Sequence, residues 1–212
     1  MYNSLRTATA SGIFFMTGTI YIYNTKPTSM KRPEKSTTNG HSRQDLVQVP
    51  MLTNFFYDQL KDLYWAEKQQ AKTLVKMKKA SFSDELCMAL EAHLEETKQH
   101  ALRLEKIFGL IGLRPQTKRC EGMAGLAKEA ETIIAETEDG TATRDVGLIM
   151  ISQKIEHYEI AAYGSLHQLA LTLEFDQVAG LLESTLTEEK EIDKELTSIA
   201  KTHVNYDAME EI

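Results

Sequence analysis

The feature that most constrains this chain is a set of four long amphipathic segments, each with an acid in the middle of its apolar face. Apolar residues recur every three to four positions in these segments, which is the spacing of one face of an α-helix. Near the centre of each face, where Leu or Ile is expected, the sequence has Glu. These acids are Glu67, Glu96, the pair Glu156 and Glu159, and Glu189. The pattern predicts four helices whose acids meet in a shared interior.

The ends of the predicted helices are marked by capping and helix-breaking residues. Helix A is predicted over about 50–79, and helix B starts after Ser81 or Ser83 and ends at 109–115. Helix C is predicted over about 143–171, and helix D over about 176–203. The A–B and C–D connections are short, whereas the B–C connection is long and carries a further amphipathic segment at roughly 121–136. We therefore predict an all-α fold, an antiparallel four-helix bundle with an additional short helix in the B–C crossover.

The first 49 residues differ in composition from the predicted bundle. They are polar and contain Pro27, Pro33 and an Asn39-Gly40 pair, which predicts a disordered N-terminal extension before a globular domain at 50–205. Within it, residues 1–29 are either a mis-assigned start, with Met30 as the true one, or a weak targeting segment. No stretch is long and apolar enough to span a membrane, and we expect no membrane association.

Charge and cysteine content limit the classes of function. The net charge is -7, and the first 50 residues carry six Lys and Arg against only two acids, so the body of the chain is acidic. We expect no nucleic-acid binding from such a surface. An acidic body suits cation handling and also simple solubility. The two cysteines, Cys87 and Cys120, form neither a disulfide framework nor a CxxC site, which favours a reducing, cytoplasmic location.

The acids on the four apolar faces predict a metal site. Burying an unpaired carboxylate costs several kcal/mol, and no Lys or Arg occupies the centre of these faces to neutralise the group. Hard cations such as Fe(II) and Mn(II) favour carboxylate oxygen, with imidazole as a further ligand. A two-metal site in a bundle takes single Glu residues from two helices and paired ligands from the other two. Any one of these acids alone could instead lie at the edge of its face and reach water.

Residues three or four apart share a helix face, so both can reach one ion. On this basis helix B pairs Glu96 with His100, and helix D pairs Glu189 with Asp193. The predicted metal ligands are Glu67, Glu96, His100, Glu156, Glu159, Glu189 and Asp193. Tyr64, His93 and Tyr163 are predicted to surround them, with the tyrosines either bonded to ligating carboxylates or simply packed in the core. His93, one turn before Glu96, is also a further candidate ligand.

Several short blocks of the sequence are similar to one protein family, in the same order. They are DLYWAEKQ at 62–69, HLEET at 93–97, CEGMAGL at 120–126, EHYEIAAYG at 156–164, and EEK at 188–190 followed by Asp193. Together they resemble the YciE/YciF family of ferritin-like stress proteins over roughly 51–203. The resemblance implies a ferritin-like, rubrerythrin-like homodimer with a dinuclear metal site at Glu67, Glu96, Glu156, Glu159 and Glu189.

The chain also departs from the ferritin-like pattern. The usual Glu-x-x-His spacing is absent, because Gln99 follows Glu96 by three positions and Ile192 follows Glu189 by three. Two cysteines cannot build the four-thiolate iron centre of rubrerythrins, so no electron supply is visible.

These patterns favour a stress-response protein with two Fe or Mn ions that oxidises Fe(II) or reduces oxygen or peroxide. In this hypothesis Glu96 and Glu156 bridge the ions, and His100 is the nitrogen ligand. The alternative is a metal-free or weakly metallated dimeric interaction or structural protein without catalytic activity. A ferritin-type storage cage is a third and less favoured interpretation.

Overall fold

A computed structural model of the chain describes residues 13–16, 19–22 and 49–212, in two units that divide after Leu46. In the first unit, strands β1 (Ile13–Met16) and β2 (Thr19–Ile22) pair antiparallel, with Ile13 opposite Ile22. The sequence predicted no strand in these eight residues. The predicted disorder of the other residues up to position 48 falls outside the described residues, and so does the prediction about residues 1–29 and Met30.

Residues 49–212 form helices, as predicted. The helices are α1 (Met51–Ala80), α2 (Asp84–Leu110), α3 (Glu121–Glu136), α4 (Ala142–Thr172) and α5 (Asp176–Ile199), and α5 continues through a π-helical turn at Ala200–Val204 into α6 (Asn205–Glu210). The predicted helix ends agree with these bounds except at the end of helix D, where the π-helical turn intervenes. The α1–α2 and α4–α5 connections are short, and the longer α2–α4 connection carries α3, as predicted. Among the described helices, none is both long and apolar enough to cross a membrane.

Side-chain caps mark the starts of α2 and α4. The Ser83 hydroxyl accepts a hydrogen bond from the Leu86 amide at the start of α2, and the Thr141 hydroxyl accepts one from the Arg144 amide at the start of α4. These bonds satisfy amide groups that have no partner within the helix. Gly112, which follows the end of α2, has a φ of 72°, a conformation that glycine adopts without the steric cost of a side chain.

The four long helices contact one another so that their middles share one interior. α1 packs on α2 and α4 packs on α5, while contacts of α2 with α5 and of α1 with α4 join these pairs. α3 packs against α1 and α4, and α6 packs against α4. Apolar side chains such as Phe56, Leu60, Leu104 and Leu182 are fully buried. Most of the buried polar residues lie near the middle of the long helices, and apolar side chains fill the core towards both helix ends.

Candidate metal centre

Four glutamates are completely buried in the middle of the core. Glu67 of α1, Glu156 and Glu159 of α4, and Glu189 of α5 are each 0% exposed. Each one continues a buried helical face, as Glu67 does between Leu63 and Leu74. These glutamates occupy positions on the apolar face of each helix, so the packing that buries the neighbouring leucines also buries their carboxyl groups.

Two histidines of α2 face these glutamates. His93 and His100 lie seven positions apart, two helical turns, and are 3% and 0% exposed. Nδ1 of His100 lies 2.9 Å from Oε1 of Glu189 and 3.8 Å from Oε1 of Glu67. Nδ1 of His93 lies 3.6 Å from Oε1 of Glu156, and its Nε2 lies 3.9 Å from Oε2 of Glu189.

The buried side chains form two overlapping groups of potential metal ligands. His93, Glu156, Glu159 and Glu189 each offer one ligand atom within 4.8 Å of the others, and Glu67, His100 and Glu189 do the same. Glu189 belongs to both groups, with one oxygen towards each histidine. We call these two groups together the carboxylate cluster. Each group could hold a metal ion, and the two groups share the carboxylate of Glu189.

Most polar atoms of the carboxylate cluster have no hydrogen-bond partner. Within residues 49–212, this holds for both oxygens of Glu156, Glu159 and Glu189, for Oε2 of Glu67, and for Nδ1 of each histidine. The short approach of His100 to Glu189 lacks hydrogen-bond geometry. A buried polar atom left unpaired costs about 1–3 kcal/mol, and more when the group is charged. Oxygen and imidazole donors that are aimed at one another without partners fit iron or manganese.

Burial dominates the acid–base properties of the glutamates. It raises the pKa of Glu156 and Glu159 well above the usual range, and the neighbouring Glu67 and Glu189 add to the rise. Burial likewise raises the pKa of Glu67 to about 8, although the nearby His100 opposes the shift. Without a cation these groups therefore favour the protonated form, and a bound cation takes the place of protons.

The two histidines differ in their protonation. Burial lowers the pKa of His93 to about 4, so this imidazole is neutral and can offer a lone pair. Burial also acts to lower the pKa of His100, but the carboxylates of Glu189, Glu67 and Glu188 outweigh it and raise the pKa to about 9. In the metal-free protein, His100 is thus the one positive group inside the carboxylate cluster.

Further side chains hold the cluster in place. The Tyr163 hydroxyl donates a hydrogen bond to Oε1 of Glu67, and Gln70 Nε2 lies 3.2 Å from His93 Nε2. On the outer side of His100, Nε2 lies 2.9 Å from Oε2 of Glu188. Gln70 and Glu188 are not among the residues predicted from the sequence. Glu188 lies off the apolar face of helix D, and only the cation of Arg103, one turn after His100, could have indicated it.

The structure brings together five of the seven predicted ligands, Glu67, His100, Glu156, Glu159 and Glu189. Glu96 is not among them, because its side chain is exposed on α2. The buried line of α2 runs through His93, Thr97 and His100, and Glu96 is rotated by about 100° from Thr97. The predicted bridging position of Glu96 therefore does not agree with the structure, whereas His93, predicted around the ligands, lies among them.

Two other predicted residues, Asp193 and Tyr64, have their closest polar partners outside the cluster. Asp193 accepts a hydrogen bond from Gln153 Nε2 at 3.3 Å and lies 3.4 Å from His157 Nε2. The Tyr64 hydroxyl donates to Glu105 rather than to Glu67, at 2.5 Å. Of the predicted surrounding tyrosines, only Tyr163 bonds a carboxylate of the cluster.

Comparison with known proteins identifies the family. The family described as "Domain of unknown function (DUF892)" matches residues 51–209. The chain belongs to this family. It is 40% identical to the protein YciF of Escherichia coli over 160 residues, which are 75% of this chain and 96% of YciF. The resemblance to the YciE/YciF family is thereby confirmed.

Solved structures of relatives have the same fold. The crystal structure of the Escherichia coli stress protein YciF matches with a TM-score of 0.70 at 39% identity, covering 74% of this chain and 99% of that one. YcfI of Rhodopseudomonas palustris, described as a structural protein, matches with a TM-score of 0.68 at 33% identity, covering 74% and 98%. These matches confirm the helical fold of the domain.

Proposed function

We propose that this protein is a ferritin-like stress-response protein that binds two iron or manganese ions in its carboxylate cluster. The observation that carries the proposal is the set of seven carboxylate oxygens, buried and without hydrogen-bond partners among residues 49–212, that face two imidazoles. A soluble protein retains so many unpaired buried acids only when something positive or a proton balances them. The relation to a protein described as a stress protein supports the biological setting.

One ion would be held by His93, Glu156 and Glu159, and the other by Glu67 and His100, with Glu189 between them. Bound iron or manganese would supply the redox chemistry for oxidation of Fe(II) or reduction of oxygen or peroxide. The chain itself supplies a site from which water is excluded, since none of the four glutamates is exposed. Tyr163 orients Glu67 through its hydrogen bond.

The same proposal includes the ferritin-like architecture, an antiparallel four-helix bundle with α3 in the crossover. Three-residue connections between α1 and α2, and between α4 and α5, support antiparallel neighbours. Contacts of α2 with α5 and of α1 with α4 support closure into one bundle.

Metal content measured by plasma mass spectrometry tests the proposal. Protein purified without chelator or nickel affinity should contain about two Fe or Mn per chain, as expected for a two-metal site. The double variant Glu67→Gln/Glu156→Gln should lose both ions and keep its helical circular dichroism. A matched control, Glu183→Gln/Glu191→Gln, removes the same charge from exposed positions of α5 and should keep both ions. Wild-type protein without metal, even after anaerobic Fe(II) loading, would contradict the proposal.

Turnover is tested on the metal-loaded protein. We expect consumption of oxygen with Fe(II), or of peroxide with an added reductant, and we expect neither in the Glu67→Gln/Glu156→Gln variant. Full metal occupancy without any turnover would restrict the function to metal binding.

A second candidate function is a metal-free structural or interaction protein. The description of the relative YcfI as a structural protein favours it, and so does the raised pKa of Glu67, which allows that carboxyl to be protonated. Thermal melts with and without Mn(II) or Fe(II) distinguish the two functions. A metal site at a hundredfold excess over its Kd stabilises the fold by about 2.7 kcal/mol, whereas a structural protein shows no shift.

We further propose a homodimer in the cytoplasm. Exposed apolar side chains at the start of α1, Met51 at 90% and Phe55 at 53%, support a contact surface there. The free thiols of Cys87 and Cys120 support a reducing compartment. A mass in solution of about 48 kDa, twice the 24.0 kDa of one chain, is expected from light scattering; a mass of 24.0 kDa would refute the dimer, and a much larger one would indicate a cage.

A further inference from the structure

The two nitrogens of His100 face different surroundings. Nδ1 points into the carboxylate cluster, towards Glu189 and Glu67. Nε2 points outwards and lies 2.9 Å from Oε2 of Glu188. An ionised carboxylate only accepts hydrogen bonds, and a neutral imidazole has one proton. When His100 gives up one proton to bind a metal, the contact with Glu188 therefore keeps the remaining proton on Nε2 and leaves the lone pair of Nδ1 directed inwards, where the metal would bind.

Glu188 is itself held in place by Arg103. The two terminal nitrogens of the Arg103 guanidinium donate to the two oxygens of Glu188 at 2.6 Å and 3.0 Å. One of them also donates to Thr185 at 2.5 Å. Bidentate Arg–carboxylate pairs are geometrically specific, so the direction of the Glu188 carboxylate is fixed. This pair joins α2 to α5 and is partly exposed, at 21% for Arg103 and 36% for Glu188.

His93 has a different partner. Its Nε2 meets the side-chain amide of Gln70, which is neutral and fully buried. A carboxylate behind a ligating imidazole makes the metal-binding nitrogen more basic, and a neutral amide does so less. The two cation positions of the cluster therefore differ in what supports their histidines.

We propose that Glu188 and Arg103 are positioning residues that set the metal affinity of the His100 position and leave the His93 position unaffected. This role rests on the proposed two-metal function. The pair fixes the tautomer and the orientation of the imidazole, and it contacts His100 rather than the ion.

Calorimetric titration of the metal-free protein with Mn(II) tests this role. Wild-type protein should show two binding steps, and loss of one step in His100→Ala assigns that step to the His100 position. Glu188→Ala should weaken the assigned step by about 10–100-fold and leave the other unchanged. Two conservative variants should weaken the assigned step by less than Glu188→Ala does. Glu188→Gln keeps a hydrogen-bond acceptor but loses the charge, and Arg103→Lys keeps the charge but loses the bidentate hydrogen bonds. Glu183→Ala, an exposed acid on the same helix, should change neither step.

The double variant His100→Ala/Glu188→Ala distinguishes positioning from direct binding. If Glu188 acts through His100, the Mn(II) affinity of the remaining step in the double variant should be within twofold of its value in His100→Ala alone. A further loss there would show that Glu188 is itself a ligand and would overturn the positioning role. The positioning role would also be overturned if the Glu188→Ala and Arg103→Lys proteins are helical and bind both ions with wild-type affinity. Absence of any Mn(II) step in wild-type protein would overturn the two-metal function as well.

Discussion

Glu189 connects the two halves of the carboxylate cluster because its carboxylate faces both imidazoles. Oε1 lies 2.9 Å from Nδ1 of His100, and Oε2 lies 3.9 Å from Nε2 of His93. The other acids each belong to one half alone, Glu67 to the His100 half and Glu156 and Glu159 to the His93 half. Loss of the Glu189 charge therefore affects both cation positions, whereas loss of any other single charge affects mainly one.

Glu189→Gln should consequently weaken both Mn(II) binding steps, each by more than about tenfold, because an amide is a poor ligand for a hard cation. The matched control is Glu183→Gln, which removes the same charge from an exposed position of α5. It should leave the stoichiometry and both affinities unchanged. Equal losses in the two variants, measured by calorimetry, would mean that long-range charge rather than ligation governs binding.

The helical period alone predicts the buried glutamates of the cluster but does not settle which other residues contact them. Glu67, Glu156, Glu159 and Glu189 interrupt apolar faces, so their burial follows from the sequence. On α2 the buried face contains His93, Thr97 and His100, and Glu96 adjoins it, so the helical period alone does not decide between Glu96 and His93 as ligands. Glu188 and Gln70 act through contacts between helices, which a single helical face does not reveal.

At the scale of the elements, Asp145 connects the start of α2 to α4. This side chain, in the first turn of α4, is 0% exposed. Its two oxygens accept hydrogen bonds from the backbone amides of Phe82 and Ser83, at 2.8 Å and 2.7 Å. The connection between α1 and α2 is thereby tied to a helix more than sixty positions further along the chain. The sequence predicted the ends of both helices but not this link, which depends on how they pack.

Asp145→Ala should destabilise the domain without affecting the metal-ligand residues. Hydrogen bonds to a charged group contribute about 1.5–3 kcal/mol, and the two amides would be left without partners. For a domain of this size we expect Tm to fall by roughly 5–10 °C. Asp176→Ala removes an exposed acid from the first turn of α5 and should cost no more than about 1 kcal/mol. Similar losses of Tm in the two variants would indicate that Asp145 acts only through the helix dipole.

At the scale of the whole molecule, the carboxylate cluster couples folding to protons and, in the proposed function, to metal ions. Glu67 and His100 have pKa values of about 8 and about 9 in the folded chain, and the pKa values of Glu156 and Glu159 are raised as well. A group whose pKa is raised by folding stabilises the fold below its unfolded pKa, and this stabilisation is lost as the pH rises through the folded value. His93, with its lowered pKa, acts in the opposite direction between its folded value of about 4 and its usual value.

The metal-free protein should therefore lose stability as the pH rises from about 6 to about 9. Glu67, His100, Glu156 and Glu159 bind protons more tightly in the folded state than in the unfolded state, so unfolding releases protons and becomes more favourable at higher pH. We expect a fall in Tm of roughly 5–10 °C over this range, measured by circular dichroism in buffers of equal ionic strength. Saturating Mn(II) should remove most of the fall, since the ions replace the protons and bind more strongly as the ligands deprotonate. Glu67→Gln/Glu156→Gln, which has two fewer such groups, should show a smaller fall that Mn(II) does not change. A metal-free wild-type protein that is more stable at pH 9 than at pH 6 would show that its buried acids are ionised and balanced by something other than protons.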